Sequence, residues 1–126
     1  MQTQGMMMNE QPAMTTSRGI ERAEWQEFFN DFSRKYAGKQ VVMRLMTSNI
    51  HASRTTTAQT FGGIWTNDHS PQSGSIMINL ESPAGGNLAR TFAADTHLAP
   101  THLHWQEAEQ RLTIELRDGS TVFLEF

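Results

Sequence analysis

Glu24-Trp25-Gln26-Glu27-Phe28-Phe29-Asn30-Asp31-Phe32-Ser33-Arg34-Lys35-Tyr36-Ala37-Gly38 decides how the rest of this 126-residue chain is read. Trp25, Phe28, Phe29, Phe32 and Tyr36 recur at the three- and four-residue spacings of one helix face. Glu21, Glu24 and Glu27 lie toward the N-terminal end and Arg34 and Lys35 in the last turns, where each sign opposes the helix dipole. Gly38 follows as a left-handed stop. The pattern predicts a helix over about 22–36. Five large rings on one face are core in most proteins, so the stripe reads as the lid of a hydrophobic interior rather than a ligand platform.

Outward from that helix the period changes to 2. Val41, Met43 and Leu45 alternate with Val42, Arg44 and Met46. Phe61, Gly63 and Trp65 alternate with Thr60, Gly62 and Ile64, and Ile76, Ile78 and Leu80 with Met77 and Asn79. Leu88 with Phe92 and Leu103 with Trp105 suggest two more strands, Pro100 being confined to a strand start, a bulge or an edge. Gly62-Gly63 inside a strand marks a bulge or a close approach of another backbone or a ligand, and the bulge is favoured. The separators 67–71, 82–87 and 106–110 are too short for crossover helices, so pairing should be mainly antiparallel. The expectation is an α+β domain: one N-terminal amphipathic helix packed on a strongly bent antiparallel sheet or small partly open barrel of about five to seven strands.

The last two strands allow a register to be chosen. Leu112, Ile114 and Leu116 form one face of the first arm, and Val122, Leu124 and Phe126 one face of the second. A two-residue Asp118-Gly119 turn would put these faces on opposite sides of the sheet. A three-residue Arg117-Asp118-Gly119 loop pairs Ile114 with Val122 and Leu112 with Leu124, with Gly119 left-handed.

Length fits one domain. Residues 1–18, rich in Met, Gln and Thr and without a period, read as a disordered tail, leaving 19–126 as the domain. A net charge of −3 supplies no positive field for phosphate backbones, so a nucleic-acid partner is disfavoured. A single-stranded binder on a small barrel is kept only as a third reading, because the aromatics suit it and the charge does not. No cysteine is present, which removes disulfides, thiolate nucleophiles and sulfur-rich zinc sites. No run is long and apolar enough for a membrane span, no signal-peptide pattern opens the chain, and a cytoplasmic location is expected.

Candidate chemistry is sparse. His102-x-His104 places two imidazoles on one side of a strand, the side opposite Leu103 and Trp105, where they could hold a divalent metal with His97 or with His69 and Asp68. Asn67-Asp68-His69-Ser70 contains the residue types of a catalytic triad, but adjacent residues rarely point at one another and turn chemistry explains them. Neither a nucleophile elbow nor a phosphate-binding glycine loop occurs, so catalytic residues and cofactors are not expected. Glu107, Glu109, Glu115 and Glu125 read as a solvated acidic surface. Val42, Met46 and Phe123 fall on the sheet face that one helix cannot cover, and an exposed patch there implies a homo-oligomer or a protein partner.

The Trp25-x-x-Phe28-Phe29-x-x-Phe32-Ser33-Arg34 helix, with the closing hairpin Leu112 to Phe126 around Asp118-Gly119, resembles a family of small bacterial proteins of unknown function. The resemblance spans about residues 18–126. This chain has Lys39-Gln40 where such relatives often carry a tryptophan soon after the glycine. The resemblance implies the fold unit and no activity, substrate or cofactor.

Overall fold

The computed structural model describes residues 17–47, 53–55, 58–67, 74–83 and 85–126. Strand β1 (Ser17–Ile20) and a 3-10 turn (Arg22–Glu24) lead into helix α1 (Trp25–Tyr36). Then come β2 (Gln40–Met46), β3 (Ser53–Thr55), β4 (Gln59–Asn67), β5 (Ser75–Glu81) and β6 (Asn87–Phe92). The chain ends with β7 (Pro100–Gln106), β8 (Arg111–Leu116) and β9 (Thr121–Glu125). The sheet runs β1-β7-β8-β9-β2-β4-β5-β6, with β3 beside β2 off that path, and every pairing is antiparallel.

Two expectations are corrected. The described residues form nine strands rather than five to seven. The helix is also not the first element, because β1 precedes it and pairs Ser17 to Ile20 with Gln106 to Leu103. Ser17 and Arg18 therefore belong to the sheet; the disorder expected for 1–16 lies outside the described residues. The sheet is open, since β1 and β6 end the order without pairing with each other.

Helix α1 buries Trp25, Phe29, Phe32 and Tyr36 and half-buries Phe28, as its spacing requires. It stops at a tight turn in which Lys39 N–H donates to the Tyr36 carbonyl and Gly38 has φ 89°. That turn continues straight into the sheet: Gly38 N–H donates to the Phe61 carbonyl, and Phe61 N–H to the Lys39 carbonyl.

Beyond this point β2 and β4 separate. They share only the pairs Gln40–Thr60 and Val41–Gln59, whereas β2 and β9 share five from Val42–Glu125 to Met46–Thr121. The free edge of β4 is met by the helix instead. Ser33 Oγ donates to the Ile64 carbonyl at 2.8 Å and accepts from the Ile64 N–H at 2.9 Å.

The sheet curls around the helix. Phe32 lies 5.8 Å from the Phe61 ring and 5.1 Å from the Trp105 ring. β4 and β7 stand four strand positions apart, about 19 Å on a flat sheet, so only a curved one brings both rings to a single phenylalanine. Both halves, with Ile76, Ile78 and Leu80 from one and Leu103, Leu112 and Ile114 from the other, feed one core.

Three local readings hold. Ile114 faces Val122, Leu112 faces Leu124, and Gly119 has φ 90° with its N–H donating to the Leu116 carbonyl. The β4–β5 register shifts between Phe61 and Gly63, as expected for a bulge at the paired glycines. Pro100 is the first residue of β7 and sits at a register shift. The edge strand β6 points Arg90 toward the core side, over the Phe92 ring, an inward charge of the kind that discourages edge-to-edge pairing.

Candidate functional site

The alternation that sends Leu103, Ile114, Val122 and Leu45 inward sends the intervening residues of β7, β8, β9 and β2 outward. Register aligns them in cross-strand rows. One row is His104, Thr113, Phe123 and Arg44; the next is Gln106, Arg111, Glu125 and Val42; a third is Glu115, Thr121 and Met46. Val42, Met46 and Phe123 thus share a face with His102 and His104. Met46 is 41 % exposed, while Val42 and Phe123 are half-buried by their charged neighbours.

Two charge groupings organise this face. Glu125 Oε2 accepts from Arg44 at 3.1 Å and from Arg111 at 3.3 Å, and the two guanidinium groups lie 4.8 and 5.4 Å from the Phe123 ring. Gln106 Oε1 takes hydrogen bonds from Arg111 Nε and Thr113 Oγ1, which holds Arg111 across the sheet. The second grouping is Glu115, whose Oε2 lies 3.0 Å from His104 Nε2 and whose Oε1 lies 3.7 Å from His102 Nδ1. The imidazoles stack nearly parallel with centroids 6.3 Å apart; His102 is two-thirds exposed and His104 about one-third.

A shallow basin of about 420 Å³ lies over His104, Gln106, Arg111, Thr113, Glu115 and Phe123. His104 also borders a second basin of about 460 Å³ where β1 leaves β7, walled by Glu21, Arg22 and Trp25. Arg22 is fixed there, lying 4.7 Å from the Trp25 ring and donating to the Pro100 carbonyl at 3.2 Å. Both basins are open to solvent and carry neutral, cationic and anionic groups together. Such an arrangement suits recognition of a polar surface better than enclosure of a small substrate.

No protein-family model, curated protein or solved structure matches the chain.

The structure brings together His102 and His104 but not His97, which sits exposed in the turn between β6 and β7 with no recorded contact to either. Asp68, His69 and Ser70 lie outside the described residues. Among the described residues no three His, Asp or Glu side chains are gathered closely enough to make a ready metal site. The glutamates lie at least partly in solvent, as expected, but three of them are also engaged: Glu115 serves both histidines, Glu125 serves both arginines, and Glu107 accepts from the Trp105 indole N–H at 2.8 Å. Sequence reading missed Arg44, Arg111 and Gln106 as a set. One signal was present, because the hairpin register that pairs Leu112 with Leu124 also pairs Arg111 with Glu125.

Proposed function

We propose that the chain is a non-enzymatic interaction module that self-associates through the outer face of β7, β8, β9 and β2. The observation that carries this reading is Phe123, a large aromatic on the solvent side of the sheet, held between Arg44 and Arg111. Aromatic residues, methionine and arginine are the residue types enriched at the centres of protein interfaces. The mixture of sign on the same face, Arg44 and Arg111 against Glu115 and Glu125, suits a two-fold contact in which each charge meets its opposite on the second copy. The cysteine-free composition suits a cytoplasmic setting, and no helix among the described residues is long and apolar enough to cross a membrane.

Sedimentation equilibrium checks this directly. The wild-type chain should be dimeric at roughly 100 μM, and Phe123→Ser or Met46→Glu should make it monomeric while leaving the fold intact by circular dichroism. A wild-type monomer at that concentration overturns the proposal.

A second reading is favoured by one contact, the carboxylate of Glu115 that both imidazoles share. Under it, His102 and His104 bind a borderline divalent ion such as Zn²⁺ or Ni²⁺ after the imidazoles turn from the carboxylate toward each other. Calorimetry of chelator-free protein decides it. Binding that vanishes in His102→Ala and His104→Ala supports the reading, and the absence of any saturable heat ends it.

A further inference from the structure

The opposite half of the sheet carries a surface unlike the charged face just described. Strict alternation puts Trp65 on the same side as Phe61, but the bulge at Gly62 changes the phase. Phe61 and Ile64 are both buried, and Trp65 turns outward with 42 % of its surface exposed. The other two tryptophans are buried and their indole N–H groups are occupied, Trp25 donating to the Ile20 carbonyl and Trp105 to Glu107. The Trp65 N–H has no recorded acceptor among the described residues.

The indole packs back over Gly63. A Cβ on Gly63 would sit 2.8 Å from Trp65 Cζ3, so the ring lies against bare backbone and a side chain at 63 would force a shift. A Cβ on Gly62 would sit 2.8 Å from Asn79 Nδ2, so the neighbouring glycine makes the same room for an amide. Asn79 is the cross-strand partner of Gly63, and Met77 that of Trp65, with Ala89 and Thr91 next in the same two rows. These rows contain no charged side chain, and the Asn79 amide meets no hydrogen-bond partner among the described residues. Glycine inside a strand lowers stability by roughly 0.5–1 kcal/mol relative to alanine. Two in succession make room for the Trp65 indole and the Asn79 amide on one face.

From this we infer that the outer face of β4 and β5 is a binding platform for a neutral sugar ring. An indole face carries negative π density and attracts the polarised C–H hydrogens on the apolar side of a hexopyranose. The Trp65 N–H, the Asn79 amide and the Thr91 hydroxyl would then orient the ring hydroxyls, a few polar groups around one aromatic contact. Lack of charge in the two rows favours a neutral saccharide over a nucleotide, a phosphosugar or an acidic glycan. The platform is independent of the self-association face, which lies on other strands.

Calorimetry with neutral hexasaccharides tests it, using β-glucan, α-glucan, chitin and mannan series against the full chain and two variants. At least one series should bind with a dissociation constant of about 1 mM or tighter. Trp65→Ala should weaken that binding about tenfold or more and Asn79→Ala several-fold, with unchanged thermal unfolding midpoints. No heat with any series at roughly 10 mM sugar overturns the inference, as does binding that survives Trp65→Ala. A change in oligomeric state on Trp65→Ala without sugar binding assigns the surface to a second copy and overturns it equally.

Discussion

Tyr36 is the only tyrosine in the chain, and its environment has a measurable consequence. The ring is buried against Phe32, Trp105 and Phe126, while its hydroxyl donates to Gln110 Oε1 at 2.7 Å. Burial, and secondarily the negative charge of Glu107, push the phenol above its ordinary value; the hydrogen bond donated to Gln110 belongs to the neutral phenol and acts in the same direction. The unfolded chain therefore releases this proton first, and the folded state holds more protons as the pH passes about 10. Stability from this group is complete below that pH and falls as the pH rises through the folded value. Tyr36→Phe should abolish that part of the alkaline loss, seen by comparing urea unfolding at about pH 8 and pH 10.5 for both chains. Absorbance titration of the phenol reads the shift without interference from another tyrosine. Glu107 moves oppositely. The Trp105 N–H beside it, more than any other group, holds its carboxyl below the usual range, so its small contribution is present above that range and lost on acidification.

At the scale of elements, one hydroxyl makes the polar link in the seam between α1 and β4. Ser33 satisfies both the N–H and the carbonyl of Ile64, a residue buried to 1 % exposure. Ser33→Ala would strand both backbone groups, costing about 1–3 kcal/mol. Amide exchange at Ile64 should accelerate while exchange across the β8–β9 hairpin stays slow, and uniform acceleration would contradict a local role. The elements differ in how far their sequence reveals them. The helix is legible because five rings share one period, and the terminal hairpin because only one loop length keeps Leu112, Ile114, Val122 and Leu124 on one side. β1 escapes detection since Ser17, Arg18 and Gly19 show no alternation before Ile20, and its edge role is set by β7, more than 80 residues later. β3, Ser-Arg-Thr, has no apolar residue. Trp65 is misassigned by alternation even with the bulge recognised, because a bulge reverses the parity of everything after it. Glu115 reads as ordinary acidic surface until the β7–β8 register sets it opposite His102.

Across the whole molecule, the two halves of the sheet are joined by little backbone and much side chain. Only two residue pairs connect β2 to β4, yet Phe32 touches Phe61 on one half and Trp105 on the other, and Phe126 lies 5.4 Å from Phe32 and 5.1 Å from Phe61. Phe32→Ala opens a cavity at that meeting point and should cost about 3–5 kcal/mol. Because the halves share one core, unfolding should remain a single transition by fluorescence and by far-ultraviolet dichroism. Separate transitions would mean that the halves are independent, contrary to the shared packing.

The pairing of β2 with β9 also bears on how the protein is made. Val42 finds its partner in Glu125, 83 residues further along the chain. At a synthesis rate of about 5–20 residues per second, β2 has emerged roughly 4–17 s before that partner exists. Throughout that interval the nascent polypeptide displays an unfilled template of N–H and carbonyl groups next to Val41 and Met43, with Arg44 in its middle, a charge of the kind that discourages foreign strands from pairing there.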